Sequence, residues 1–178
     1  MPPDRESLIE HISKADGIFS LLTERIDEAI IESSPSLKVI SNMAVGTDNI
    51  DVASATRHNI PVGNTPGVLT ETTADFAFSL LISSSRRIVD ADNYVRAGHW
   101  KTWGPSILLG RDLFGATLGI IGYGEIGQAM ARRATGFDMK ILYNRRTPIE
   151  PIDGINASYA TVDQILLQSD FVSLHVPL

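Results

Sequence analysis

The 178-residue sequence contains no cysteine, and this absence excludes several kinds of site. Such a chain forms no disulfide bond, no thiolate zinc site and no cysteine nucleophile, which fits a reducing compartment. Basic residues are also in the minority, because 15 lysines and arginines face 21 aspartates and glutamates and give a net charge of −6 at pH 7. A general nucleic-acid surface needs clustered basic side chains, so no nucleic-acid partner is expected.

Long apolar runs are missing as well. No stretch approaches the roughly 18 residues of a membrane span, and the opening MPPDRESLIEHI is too polar for a secretory signal. Hydrophobic residues nevertheless form 43% of the chain, which is enough to bury a core. These features predict a cytoplasmic α/β protein with no membrane partner, and no metal site is predicted.

Strand and helix patterns alternate along the sequence. Strands are predicted within 17–22, 37–43, 60–64, 116–122, 139–144, 155–160 and 170–176. Helices are predicted within 5–14, 23–34, 51–58, 125–137 and 161–169, with one long helix or two between 70 and 98. Asp48 or Asn49 is the predicted N-cap of the helix at 51–58. This alternation indicates parallel strands joined by right-handed crossovers.

A glycine-rich stretch, GIIGYGEIGQAM at 119–130, lies between a predicted strand and a predicted helix. Gly122, Gly124 and Gly127 have the spacing G-x-G-x-x-G, in which the glycines allow a tight turn, the approach of a pyrophosphate and close helix–strand packing. The free N–H groups at the start of the helix attract phosphates. The stretch therefore predicts dinucleotide binding, and the alternative is a glycine-rich turn that binds nothing.

The next strand ends in ILYNRRT at 141–147 and bears on the choice of cofactor. Asn144 lies where many such folds carry an acidic residue for the ribose 2′-hydroxyl of NAD. Without that charge, Arg145 and Arg146 can pair with a 2′-phosphate, so NADPH is the predicted cofactor and NADH the second choice. The alternative is two solvated surface arginines. Glu125, beside the glycine loop, adds an opposing negative charge.

Several stretches together resemble the D-isomer-specific 2-hydroxyacid dehydrogenases, and most closely the glyoxylate/hydroxypyruvate and 2-ketogluconate reductase branch. They are AVGTDNID (44–51), IPVGNTPGVLTETTADFAFSLLISSSRR (60–87), GHWKTWGP (98–105), GIIGYGEIGQAMARRATGFDMKILYNRR (119–146) and SDFVSLHVPL (169–178). The family usually has arginine where Glu125 stands. The resemblance implies a partial flavodoxin-like substrate domain over 1–68, the first half of a Rossmann dinucleotide-binding domain over 69–178, and an active site in the cleft between them.

The resemblance also implies an activity, namely NAD(P)H-dependent reduction of glyoxylate, hydroxypyruvate or 2-ketogluconate to the D-2-hydroxy acid by a homodimer. Val45 and Gly46 match the loop whose backbone N–H groups hold the substrate carboxylate, although a plain strand exit is the alternative. Trp100 and Trp103 lie in the segment that reaches across the dimer, or else belong to a local core. The predicted cofactor residues are Thr73, Gly122, Tyr123, Gly124, Glu125, Ile126, Gly127, Asn144, Arg145, Arg146, Thr147, Val176 and Pro177.

The catalytic histidine, carboxylate and arginine of the family find no match in these residues and are expected after Leu178. His175 lies in a different context and is interpreted as structural. The chain is thus expected to be a fragment, truncated at both ends and inactive alone. A second hypothesis is an NADPH-binding regulatory module without turnover. A third is a formate or 3-phosphoglycerate dehydrogenase relative, but these usually prefer NAD, which disagrees with Asn144, Arg145 and Arg146.

Overall fold

Alternating strands and helices form two units, Met1–Leu69 and Thr70–Leu178. The computed structural model describes residues 4–150 and 152–176. The predicted α/β class with parallel strands is confirmed, because every pairing between its strands is parallel. None of the described helices combines the length and the apolar character needed to cross a bilayer.

The first unit is a parallel sheet in the order β1-β2-β3, with helices between its strands. Its elements are α1 (Arg5–Ile12), β1 (Gly17–Ser20), α2 (Glu28–Glu32), β2 (Val39–Asn42), α3 (Val52–Arg57) and β3 (Val62–Gly63). Side chains alternate along each strand, so Ile18 and Ile40 enter an isoleucine-rich core while Phe19 and Val39 remain exposed.

Aspartate side chains begin the helices of this unit. Asp51 caps α3 by accepting the backbone N–H of Ser54 at 2.8 Å, so the prediction of Asp48 or Asn49 as the N-cap is wrong. The reason lies in the preceding backbone. Residues 47–50 form a turn closed by Ile50 N–H on the Thr47 carbonyl, and Ile50 forms a β-bridge with Ile26. These contacts hold the chain away from helical geometry until Asp51.

The second unit contains a parallel sheet in the order β6-β5-β4-β7. Its elements are α4 (Thr70–Ser85), α5 (Ile88–Arg96), β4 (Thr117–Ile121), α6 (Glu125–Thr135), β5 (Lys140–Asn144), β6 (Ala157–Tyr159), α7 (Val162–Gln168) and β7 (Phe171–Leu174). β4 is an inner strand, and its Leu118 and Ile120 side chains are fully buried. β7 lies at the edge of the sheet, with Leu174 exposed.

The segment predicted as one helix or two is two helices. Arg87 separates α4 from α5 by adopting a left-handed conformation, with φ of 53°. Phe78 on α4 is buried in the same core as β4, whereas Phe76 and Leu80 on the same helix are exposed. The apolar residues of α4 therefore lie on both its buried face and its exposed face.

Arg133 on α6 is the centre of the polar contacts to α4. Its Nε donates to Asp75 Oδ1 at 2.7 Å, and its Nη2 donates to the Glu71 carbonyl at 3.1 Å and to Glu71 Oε2 at 2.9 Å. Its side chain is only 18% exposed, whereas that of the adjacent Arg132, which also contacts Glu71, is 57% exposed. Hydrogen bonds from Arg132 and then Arg133 lower the pKa of the Glu71 carboxyl. This contribution to stability is complete at neutral pH and is lost as the pH falls below the ordinary value of 4.5.

We expect Arg133→Ala to lower the free energy of unfolding by about 1–2 kcal/mol at neutral pH, because three hydrogen bonds from a shielded guanidinium to two exposed acidic residues are lost. Arg132→Ala is the matched control, and it should cost about 0–1 kcal/mol because exposed pairs contribute little. Urea unfolding followed by circular dichroism measures both. Equal losses in the two variants would contradict the assignment of Arg133 as the centre of this contact.

Candidate functional site

The loop between β4 and α6 requires glycine at two positions for reasons of packing. Gly122 has φ of +96°, and a Cβ there would lie 2.3 Å from the His175 carbonyl oxygen. Its N–H donates to the Asn144 carbonyl at 3.0 Å, so the loop is bonded to β5 while it touches the end of β7. A Cβ at Gly127 would lie 2.3 Å from the Gly122 carbonyl oxygen, so α6 starts directly against the loop.

Gly124 is different, because a Cβ there would meet nothing within 4 Å. It is the N-cap of α6, and no side chain caps this end of the helix. The N–H groups of the first helical turn are thus available, and they carry the positive end of the helix dipole. The open space beside Gly124 and these free donors form an arrangement that attracts a phosphate group.

A pocket of about 380 Å³ opens at the carboxyl ends of β4, β5 and β7. It is lined by Ile121, Gly122, Tyr123, Gly124, Asn144, Arg145, Arg146 and Val176. No carboxylate lines it, and neither arginine forms an ion pair within residues 4–150 and 152–176. The pocket therefore combines a phosphate-attracting loop with two guanidinium groups.

The predicted cofactor residues fall into three groups. Those brought together in the pocket are Gly122, Tyr123, Gly124, Asn144, Arg145, Arg146 and Val176, and Ile121 joins them although the sequence analysis missed it. Its position as the last residue before the glycine loop was the available signal. Thr73, Glu125, Ile126, Gly127 and Thr147 do not line the pocket, and Pro177 lies outside the described residues.

Glu125 has a different partner. Its carboxylate Oε2 accepts a hydrogen bond of 3.1 Å from the Thr70 hydroxyl, at the first residue of α4. The side chain is thereby drawn towards α4, and it still adds negative charge in the first turn of α6. That charge stabilises the helix and weakens its attraction for a phosphate, so the two effects of Glu125 oppose one another.

Asn144 and Tyr143 hold the loop that carries the arginines. The Asn144 side-chain amide donates to the Ala160 carbonyl at 2.8 Å, which ties the end of β5 to the end of β6. Tyr143 stacks on Tyr123 with ring centroids 4.2 Å apart, and its hydroxyl contacts the backbone of Ile149. Burial raises the pKa of the Tyr123 phenol, which stays neutral. These contacts position residues 145–149 beside the pocket.

His175 does not line the pocket. Its Nε2 lies 2.9 Å from the Ser173 hydroxyl on the same edge of the sheet, and burial lowers the pKa of the imidazole. The ring is therefore neutral at pH 7. Val45 and Gly46, the predicted carboxylate-binding pair, lie in the first unit on the loop that follows β2, and the Val45 side chain is 45% exposed.

A parallel sheet, a glycine loop that enters a helix and a pocket at the carboxyl ends of the strands define a Rossmann-like nucleotide-binding unit. Residues 78–178 match the family model described as "D-isomer specific 2-hydroxyacid dehydrogenase, NAD binding domain". The chain belongs to the D-isomer-specific 2-hydroxyacid dehydrogenases, a family of oxidoreductases, and the resemblance noted in its sequence is confirmed.

Similar proteins agree with this assignment. Glyoxylate reductases from Korarchaeum cryptofilum and Thermococcus litoralis are 52% and 50% identical, each over 99% of this chain. The matches cover 54% and 55% of those proteins, so the chain spans about half the length of these curated relatives.

Solved structures share the fold. The TT0316 protein from Thermus thermophilus has a TM-score of 0.92 at 40% identity, over 100% of this chain and 56% of that one. An acyclic imino acid reductase (Bsp5), in complex with NADPH and D-Arg, has a TM-score of 0.85 at 29% identity. That match covers 99% of this chain and 55% of the reductase.

Substitution of the loop glycines should affect stability at one position and dinucleotide binding at another. Gly122→Ala should destabilise the second unit by about 2–4 kcal/mol, because it combines a left-handed backbone with an overlap. Gly124→Ala should change stability by less than about 1 kcal/mol yet weaken dinucleotide binding at least about tenfold, because the methyl group occupies the approach of the phosphates. Thermal unfolding and calorimetric titration with NADPH measure the two effects. Unchanged NADPH binding by Gly124→Ala would refute this site.

Proposed function

We propose that the protein reduces a small 2-oxo acid to the D-2-hydroxy acid with NADPH, and that the second unit holds this cofactor. The observation that carries the proposal is the pocket in which the glycine loop and two arginines without ion-pair partners among the described residues meet. The bound nicotinamide would supply a hydride. Glyoxylate is the first substrate to consider, because relatives at 50% identity and above carry the name glyoxylate reductase. Hydroxypyruvate and 2-ketogluconate are further candidates.

The preference for NADPH rests on charge. The only chemical difference between the two cofactors is a 2′-phosphate, which needs cationic partners and is repelled by a carboxylate. The pocket offers Arg145 and Arg146, and none of its lining residues in the described part of the chain is acidic. Asn144 supports this role indirectly, because its amide holds the end of β5 beside β6 and thereby fixes where the arginines begin. Guanidinium groups bind phosphate oxygens through paired hydrogen bonds. The Bsp5 reductase, which is similar to this chain, is itself a complex with NADPH.

We also propose that the second unit pairs with a second copy of the chain. Large apolar side chains are exposed on α4 and on the segment that follows α5, with Phe76 at 66%, Trp103 at 74% and Phe114 at 74% exposure. Exposed apolar surface of this kind is typical of interfaces. Trp100 and Trp103 would then contribute to the contact between the copies.

The double variant Arg145→Ala/Arg146→Ala tests the cofactor preference. We expect NADPH binding to weaken by about 10- to 100-fold, because charge-assisted hydrogen bonds contribute about 1.5–3 kcal/mol. NADH binding should change by less than about threefold, since its ribose has no phosphate. Lys140→Ala is the control, because it removes a cation at the opposite end of the same strand. Titration calorimetry supplies the six affinities of the parent, the double variant and the control for the two cofactors, and equal losses for both cofactors in the double variant would rule out phosphate recognition.

Turnover tests the activity itself. The complete gene product should oxidise NADPH when glyoxylate is added, and the product should be the hydroxy acid, glycolate. Residues 1–178 alone should bind NADPH without oxidising it, because the family's catalytic histidine and arginine find no match among them. NADPH binding by the complete product without turnover on any of the three 2-oxo acids would favour a regulatory module instead. Turnover by residues 1–178 would reopen the role of His175.

A further inference from the structure

Three successive peptide carbonyls of the loop after β2 accept hydrogen bonds. The Ala44 carbonyl accepts the Thr65 N–H at 2.9 Å, and the Val45 carbonyl accepts the Asn64 side-chain amide at 2.8 Å. The Gly46 carbonyl accepts the Asn42 side-chain amide at 2.9 Å. Three successive peptide groups are therefore fixed in orientation by donors from β2 and from the segment after β3.

The N–H groups of Val45 and Gly46 belong to two of these oriented peptides. In a trans peptide the C=O and the following N–H point in opposite directions, so fixing one orients the other. Asn64 thereby orients the N–H of Gly46, and Thr65 orients that of Val45. Within the described part of the chain, neither N–H has a hydrogen-bond acceptor. Successive N–H groups that point the same way form a concave site for an anion.

Asn42 is the buried part of this arrangement. It is 1% exposed, and its Oδ1 accepts the Ser20 hydroxyl at 2.9 Å while its amide also reaches Asn49 Oδ1 at 3.2 Å. Asn49 in turn donates to the carbonyls of Leu21 and Glu24. The loop is thus connected to the core by side chains whose hydrogen-bonding groups are used, which holds its geometry before any ligand arrives.

Asn64 is exposed, and its one hydrogen bond within the described residues is to the Val45 carbonyl. Such a bond adds little to the stability of the fold, but it decides the direction of a donor at the surface. Asp48 lies close to Gly46 and brings a negative charge that opposes an anion. Binding of an anion here has to overcome repulsion by Asp48, so it depends strongly on N–H donors that are already held in position.

We propose that Asn42 and Asn64 are positioning residues for a carboxylate bound by the Val45 and Gly46 N–H groups. Asn64 aims the Gly46 N–H from the surface, and Asn42 anchors the following peptide from the core. The inference rests on the proposed function, in which that carboxylate belongs to the 2-oxo acid. Neither asparagine touches the substrate in this proposal, and each acts through the peptide group that it holds.

The test is a titration of the ¹⁵N-labelled chain with glyoxylate, followed by the amide signals of Val45 and Gly46. In the parent chain both signals should shift with saturation. Asn64→Ala should weaken binding by about fivefold to tenfold, because one neutral hydrogen bond no longer orients the donor. Asn64→Asp should weaken it further, since it adds a negative charge and removes the donor. In the unliganded variants the Gly46 amide signal should move, because the carbonyl of the same peptide loses its partner, while the thermal unfolding midpoint stays unchanged.

Two further variants sharpen the result. Ser41→Ala alters the exposed neighbour of Asn42 on the same strand and should leave the affinity unchanged. Asn42→Leu should weaken glyoxylate binding as well. If this buried substitution lowers the thermal unfolding midpoint, Asn64→Ala alone decides the test. Parent-like affinity in Asn64→Ala would overturn the positioning role and leave the proposed function in place. An absence of shifts at Val45 and Gly46 in the parent chain would overturn the carboxylate site and the positioning roles, whereas the proposed function is judged separately by turnover.

Discussion

The close approach of Gly122 to the end of β7 is the constraint on which the candidate site depends. The left-handed Gly122 lies against the His175 carbonyl, and its N–H is bonded to the carbonyl that ends β5. One residue without a side chain, directly after β4, therefore contacts the ends of both strands that flank β4. Gly122 lines the pocket and lies next to the start of α6 and the arginine loop. The relative positions of these three features therefore follow from backbone packing.

Much of this could be predicted from the sequence, since the glycine spacing and the strand that precedes it depend on local backbone rules. The pocket residues 122–124 and 144–146 follow from those rules because both segments end neighbouring parallel strands. The side-chain contacts that hold the arginine loop could not be predicted. The contact of Asn144 with Ala160 and that of Tyr143 with Ile149 join segments whose separation is set by loop conformation, for which the sequence has no periodic signal.

The N-cap of α3 is another feature that local sequence could not predict. Asp48, Asn49 and Asp51 are all good caps by type, and local propensity does not choose among them. The choice is made by the bridge between Ile26 and Ile50, a tertiary contact. Likewise, an exposed asparagine such as Asn64 has no sequence feature that marks it as the partner of the Val45 carbonyl. Polar side chains that bond distant backbone groups are thus the part of the site that only the structure shows.

The different environments of the loop glycines have an evolutionary consequence. Gly122 and Gly127 are held by packing, so their replacement is selected against through loss of the fold itself. Gly124 faces open space, so its replacement leaves the packing intact and would be selected against through the proposed dinucleotide site. A descendant of this protein could therefore abandon its cofactor in a single mutational step and persist as a folded scaffold. A substitution of Gly124 would then be the first sequence change on the way to a protein that keeps the fold without the activity.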